Sequence, residues 1–539
     1  MPRLGSRLGA VSLFSDGDIP GESVRGQSKD RSFDLARREV CFLGRSALPS
    51  ARAARLSTET RCIPRGGDGQ IKGKMVSLDS PLASRMGFPQ MTRIFLCLFA
   101  ALIPGLSAAA APPNIVLLLS DDQGWTDFGF MGHPHIQTPH LDQLSKESLT
   151  FTRGYVPDSL CRPSLMTLIT GRYPHQHGIV GNDPPPPAGL ETATKAELRT
   201  HPRYLEQRRA YMQHIDDEHT WPSLLKHRLG YNSFQTGKWW EGNYERGGFT
   251  HGMSSGDPTR GGRHGDQGLE IGRKTMQPIY DFISESQKAG KPFFVWYAPM
   301  LPHSPHNPPA RLLAKYRDKA PTIHIAKYWA MCEWYDETCG QLLKHLDENG
   351  LRENTIIISL TDNGWINEPD ADRYTNRSKR SQYDGGLRTP IMIRWPGKVQ
   401  PRVDSTNLAS SIDILPTVLA AVGTEPIAGL PGLNLLDESA VSKRQELYGE
   451  ILEHDIQSMT DPAASLMYRW VLNHEWKLIV PNLNRVPDGV VELYHINSDP
   501  HEGENVAKAN PEVVAQLAKQ LNGWWNPEGI VSPPLTSDK

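Results

Sequence analysis

Between residues 115 and 120 the chain reads IVLLLS, an unbroken apolar run of strand length with no polar face. Such a run predicts a strand covered on both sides, as in a mostly parallel sheet lying between layers of helix. Runs of the same character recur at 231–236, 293–298, 355–360 and 389–394, with helical segments between them. The clearest helix is expected over 325–348, where Ile325, Trp329, Cys332, Cys339, Leu342 and Leu346 share one face and Gly350 follows as a stop. Strand alternating with helix predicts an α/β fold over 112–425, a mostly parallel central sheet sandwiched by helices.

Past residue 425 the pattern changes to short alternating segments at 468–473, 476–480 and 491–495, followed by a helical stretch over 511–525. Residues 426–530 are therefore expected to form a smaller C-terminal antiparallel subdomain with a closing helix. A polar insertion runs from Asn182 to His219 and opens on Pro184–Pro187, and the stretch 242–272 is rich in glycine. Both read as loops over a site or as plain surface excursions.

The first 90 residues show no sustained apolar period and carry scattered arginines, so they are expected to be unstructured or not translated at all. From Met91 the character changes. Arg93 precedes a short apolar run at 94–103, and small residues follow at 107–111, the layout of a signal peptide over 91–111. The run is too short to span a bilayer, and acidic residues such as Asp16, Asp18 and Glu22 argue against a transit peptide. Export to the periplasm or out of the cell is expected, with no stable membrane span. A formal net charge of -2 over 539 residues gives no footing for nucleic acid. Of six cysteines, Cys161, Cys332 and Cys339 fall after the expected cleavage point. Cys332 and Cys339 sit seven residues apart on one helix, about 10 Å, too far to bridge. Both are read as core, which leaves Cys161 to explain.

In an open α/β sheet the ligand site lies beyond the carboxyl ends of the strands. The residues just past the apolar runs are unusually polar: Asp121 and Asp122 after the first, Lys238 after 231–236, His303 and His306 beyond 293–298, and Asp362 and Asn363 after 355–360. Singly, each fits a turn or a cap. Together, Asp121, Asp122, Asp362 and Asn363 supply hard oxygen ligands, which suit Ca²⁺, and Mg²⁺ less well, far better than zinc. Lys238 and His303 add positive charge and a proton donor, the groups that stabilise a sulfuryl or phosphoryl group in transfer.

The sequence resembles the formylglycine-dependent sulfatase family of the alkaline phosphatase superfamily from Asn114 to Trp525. The boxes stand in family order: NIVLLLSDDQGW at 114–125, CRPSLMTLITGR at 161–172, TGKW at 236–239, PHSPH at 302–306 and TDNG at 361–364. They continue with KRSQYDGG at 379–386, RTPIMIRWPG at 388–397 and ELYHINSDPHEGENVA at 492–507. The resemblance implies that Cys161 is oxidised to formylglycine by a formylglycine-generating enzyme. It also implies that Asp121, Asp122, Asp362 and Asn363, joined by the group made from Cys161, hold calcium. Lys238, His303 and Lys379 are then the residues that contact the sulfate ester, with His303 and Lys379 assisting the departing alcohol. The implied activity is hydrolysis of sulfate esters, on a sulfated small molecule or carbohydrate.

Two positions depart from the family pattern. Leu165 stands where CxPSR carries arginine, and Trp240 stands where GKWHLG carries a histidine that serves as base for sulfate release. His175, His177, His251 and His264 are possible replacements for that base, and Arg162 and Arg172 for the lost charge. Two other readings follow: a phosphodiester or phosphonate monoester hydrolase of the same superfamily, and a noncatalytic binder of sulfated glycans. Retention of Cys161 and of every oxygen ligand counts against the binder.

Overall fold

The computed structural model describes residues 111–257 and 262–534. Residues 1–90 and, apart from Ala111, the expected leader lie outside them. Ten strands precede residue 411: β1 (Asn114–Ser120), β2 (Leu149–Phe151), β3 (Gly154–Tyr155), β4 (Asn232–Gly237), β5 (His251–Gly252), β6 (Phe293–Ala298), β7 (Thr355–Thr361), β8 (Ile391–Arg394), β9 (Arg402–Asp404) and β10 (Ala409–Ser410). Eight of them form one sheet in the order β5-β4-β6-β1-β7-β8-β2-β9, while β3 pairs with β10. The centre is parallel, with Ile115 of β1 opposite Phe294 of β6 on one side and Ile356 of β7 on the other. Only β8 runs against its neighbours, pairing antiparallel with both β7 and β2.

The unbroken apolar runs follow from this position. Successive side chains of a strand point to opposite faces, and both faces are covered. Ile115, Leu117, Leu119, Trp296 and Ile358 enter one core, and Val116, Leu118, Val295, Tyr297 and Ile357 enter the other. The expected strand at 389–394 begins only at Ile391, because the Thr389 N–H donates to Gly154 O at 2.9 Å, outside the large sheet, and Pro390 has no N–H to give.

The long helix spans Ile323–Glu348 and is capped by the Thr322 side chain. Its buried surface is wider than the single face expected, and Ile325 and Trp329 are only half-buried. Met331, Tyr335, Cys339 and Leu342 pack on the sheet, while Ala326 and Ala330 pack against Leu312 and Tyr316 of a short neighbouring helix, Ala310–Tyr316. Cys332 and Cys339 are buried free thiols.

The C-terminal part forms a four-stranded antiparallel sheet of β11 (Leu447–Leu452), β12 (Leu466–Leu472), β13 (Trp476–Pro481) and β14 (Glu492–His495). The helix Pro511–Trp524 covers one face through Val514, Leu517 and Leu521. On the other face Trp470, Leu472 and Ile479 share a core with Tyr155, Val156 and Leu387 of the larger sheet's surroundings. The 182–219 insertion contains two short helices, Lys195–Thr200 and Pro202–Tyr211. Among the described residues no helix is long and apolar enough to cross a membrane.

Candidate active site

The parallel strands deliver their polar ends to one place. Asp122, directly past β1, has φ 64°, a left-handed conformation that a short polar side chain tolerates. Its N–H donates to Asp362 Oδ1 at 3.0 Å, past the end of the adjacent β7, and Asn363 Nδ2 donates to Asp122 Oδ1 at 2.7 Å. Strand β4 ends on Gly237 at φ 76°, where a Cβ would lie 1.8 Å from the Ala298 carbonyl oxygen. Only glycine fits that approach. The close packing lets the Lys238 N–H donate to Ala298 O at 2.7 Å and turns the lysine inward.

Lys238 Nζ lies 2.5 Å from Asp121 Oδ1 and 3.6 Å from Asp362 Oδ2. Lys379 Nζ reaches Asp122 at 2.8 Å, and His303 Nε2 stands 3.3 Å from the same carboxylate. Cys161 is the first residue of the helix Cys161–Thr170, which is buried along its whole length. One ligand atom from each of Asp121, Asp122, Cys161 and His303 lies within 4.8 Å of all the others. Asp121, Asp122, Cys161, Lys238, His303, Asp362, Asn363 and Lys379 are thus one cluster, whereas His306 packs against the rings of Tyr328 and Trp365.

Burial and charge set the protonation of the group. Burial alone would push the ammonium groups of Lys238 and Lys379 toward neutrality, but Asp121 acts on the first and Asp122 on the second, and both stay charged above their ordinary range. Burial would likewise raise Asp122, yet Lys379, His303 and Lys238 outweigh it and hold this carboxyl well below the usual range. Asp362 is pushed up to about 7 by burial and by Asp121. The Cys161 thiol rises to about 11 through burial, against the pull of Lys238 and Lys379, and as a plain thiol it is a poor nucleophile at neutral pH.

Three buried oxygens in the cluster, Asp121 Oδ2, Asp362 Oδ2 and Asn363 Oδ1, have no hydrogen-bond partner, and the nearest cation to Asp362 Oδ2, Lys238 Nζ, stands off at 3.6 Å. Orphaned buried oxygens are costly unless something positive meets them. Converging carboxylate and amide oxygens with no soft donor except the thiol match a hard divalent cation, so the residues present fit one.

The two departures from the family pattern have distinct surroundings. Leu165 is buried inside its helix. Arg162 and Arg172 do not replace the missing charge, because Arg162 is locked in a buried ion pair with Glu241 at 2.6 Å and Arg172 pairs with Glu218 at 3.0 Å. Of the histidines, His175 pairs with Glu450 and stacks on Trp525, His177 is buried against Thr167, and His251 lies exposed beside Phe282. His264 alone of the four touches Trp240, edge-on at 4.8 Å. Sequence reasoning passed over Asn182 and Asp183, which open the insertion. Asn182 Oδ1 accepts the Arg162 N–H at 3.0 Å, and Asp183 takes the guanidinium of Arg263.

Residues 113–424 match the Sulfatase family, and residues 374–526 match the C-terminal region of N-sulphoglucosamine sulphohydrolase. The chain is 32% identical over 406 residues to arylsulfatase A of Homo sapiens, spanning 65% of this chain and 73% of that one. It is 29% identical over 399 residues to N-acetylgalactosamine-6-sulfatase of Canis lupus familiaris, spanning 66% and 70%. A structure solved in complex with its substrate D-glucosamine-2-N,6-O-disulfate shares the fold, with TM-score 0.60, 18% identity and coverage of 77% of this chain and 97% of that one. With its cluster of strand-end oxygens and lysines around Cys161 and a family match across the whole of the eight-stranded sheet, the chain belongs to the sulfatase family, hydrolases of sulfuric esters within the alkaline phosphatase superfamily.

Proposed function

We propose that the protein cleaves sulfate esters on a sulfated carbohydrate, using a formylglycine made from Cys161 and a divalent cation, with calcium the best match to the ligands. The observation that carries this reading is the set of orphaned oxygens on Asp121, Asp362 and Asn363, converging beside a buried cysteine and two charged lysines. Asp121, Asp122, Asp362 and Asn363 would hold the cation. When bound, it would offset the charge of the carboxylates and polarise an oxygen of the ester. The hydrated aldehyde would supply the nucleophilic hydroxyl, which the unmodified thiol cannot.

The remaining steps belong to the side chains. Lys238 and Lys379, kept charged by their carboxylate partners, bind the oxygens of the sulfuryl group and stabilise negative charge as it develops. The Lys379 ammonium also serves as donor toward the leaving oxygen. His303 Nδ1 lies 2.6 Å from the Ser304 carbonyl oxygen, which can only accept. Nδ1 therefore carries the ring proton and Nε2 holds none at rest, so His303 acts as a proton acceptor beside the leaving group, while the proton that the leaving oxygen takes comes from the Lys379 ammonium. Burial lowers His303 to about 3 despite Asp122, so the resting ring is neutral.

The names of the relatives support the carbohydrate assignment, since those proteins act on N-acetylgalactosamine 6-sulfate or bind a disulfated glucosamine. Mass spectrometry of the Cys161 peptide from natively produced protein, with parallel turnover of aryl sulfate and aryl phosphonate, tests the proposal. An aldehyde at 161 and a rate preference for sulfate are expected. An unmodified thiol in protein that still hydrolyses sulfate would refute the nucleophile, and a preference for phosphonate would move the chain to the other hydrolase class.

A further inference from the structure

Ser254 and residues 264–268, in the described part of the glycine-rich stretch, are packed onto the turn that carries Lys238. A Cβ at Gly265 would come within 2.4 Å of the Gly237 carbonyl oxygen, and one at Gly268 within 2.5 Å of the same atom. The Trp239 N–H donates to His264 O at 2.7 Å, and Ser254 Oγ donates to Gly265 O at 2.7 Å. Two glycines are thus required for this loop to lie against the end of β4, and the contact places the His264 ring edge-on against Trp240. Trp240 offers no acid or base, and its buried indole N–H has no partner.

The His264 ring is held from behind. Arg263 forks onto Asp183, with Nε at 3.0 Å from both carboxylate oxygens and Nη2 donating to Oδ2. The same guanidinium lies over the Trp240 ring, 4.5 Å from its centroid. Its Nη1 is in hydrogen-bond contact with His264 Nε2. A guanidinium only donates, so Nε2 must accept, the imidazole is neutral, and its proton sits on Nδ1. Burial, Arg263, Lys238 and His303 all favour that neutral form. Nδ1 makes no hydrogen bond among the described residues, and the ring is half-buried rather than closed off.

Resting on the sulfatase reading above, we propose that His264 is a further sulfate-contacting residue, donating its Nδ1–H to an oxygen of the bound sulfuryl group beside Lys238, with Arg263 as the positioning residue that fixes its tautomer. The Asp183–Arg263–His264 chain then supplies a donor at a place where neither Leu165 nor Trp240 provides one. The assignment makes His264 a donor in this tautomer, not a base.

The test uses full-length Cys161→Ala protein with calcium present, and inorganic sulfate as the probe, titrated by calorimetry. His264→Ala in that background is expected to weaken sulfate binding at least tenfold. His264→Asn, whose amide N–H₂ lies near the place of Nδ1, is expected to stay within about threefold of the parent, whereas His264→Gln, which reaches to the place of Nε2, is expected to lose as much as alanine. Arg263→Lys, which keeps a donor, is expected to recover part of what Arg263→Ala loses. Equal sulfate affinity in parent, alanine and glutamine variants would overturn the inference while leaving the sulfatase reading intact. If the parent binds no sulfate, the sulfatase reading itself falls and takes the inference with it. Should the alanine variant not fold, the asparagine and glutamine pair still decides.

Discussion

Ser164 Oγ donates to the main-chain carbonyl of Asp362 at 2.5 Å, tying the helix that begins at Cys161 to the strand end that carries Asp362 and Asn363. The bond joins residues 198 positions apart and is fully buried. It holds Cys161 and Asp362 at a fixed separation, and with them the proposed nucleophile and cation positions. Ser164→Ala leaves the Asp362 carbonyl unsatisfied, so a loss of roughly 1–3 kcal/mol is expected in denaturant unfolding. Aryl sulfate turnover should fall with it. Unchanged stability in that titration would mean the bond contributes nothing.

Removal of the cation should act on fold and rate together, because the ligand oxygens converge only in the folded chain. Saturation at 100 times the dissociation constant adds about 2.7 kcal/mol. A chelator is expected to lower the melting temperature and abolish turnover, and calcium should restore both. Asp362→Ala should make the melting temperature indifferent to calcium. A wild-type protein whose melting temperature ignores both chelator and calcium would contradict the ligand assignment.

Much of the candidate site is legible in the sequence. β1, β4, β6 and β7 are covered on both faces, so their apolar runs stand out, and the residues after them stand at one edge of the sheet. β11 was not readable, because Gly449 and Glu450 interrupt its apolar pattern. Gly449 is there because a Cβ would lie 2.2 Å from Pro157 O, a tertiary contact with no local signature. The surroundings of Trp240 were equally hidden. Asp183, Arg263 and His264 come from two loops some 80 residues apart, and no periodicity marks a residue whose role depends on a loop crossing.

Gly237→Ala should be among the most damaging single changes in the chain. The added methyl group would meet Ala298 O at 1.8 Å, and the backbone is already at φ 76°. Both steric overlap and a disfavoured backbone conformation act at once, so a loss of roughly 3 kcal/mol or more is expected. Thermal melting of the purified variant, or its failure to accumulate in soluble form, reports the effect. A melting temperature within a degree or two of wild type would show that the turn can relax.

Acid should erode the stability that Asp183 contributes, because the unfolded chain takes up a proton there before the folded one does. Burial alone would raise this carboxyl, but Arg263 outweighs it and drives the pKa far below the usual range. A depressed folded-state pKa gives stability that is present above the unfolded value, about 3.9, and is lost as pH falls below it. Melting temperature followed from pH 6 down to pH 3 should therefore fall less steeply in Asp183→Asn than in wild type, although the variant starts lower. Parallel curves would show that Asp183 does not contribute to the acid limb.

The burial of Cys161 also sets an order of events. Its side chain is 2% exposed and heads a helix with no exposed residue, enclosed between the large sheet and its covering layer. A protein-sized partner could reach that sulfur in the native state only by displacing the side chains packed around it. Any enzyme that edits position 161 must therefore meet the chain while it is still extended, in competition with its collapse. The final proportion of converted molecules is then a kinetic record of how long the segment stayed open, and it cannot be corrected once the helix has closed.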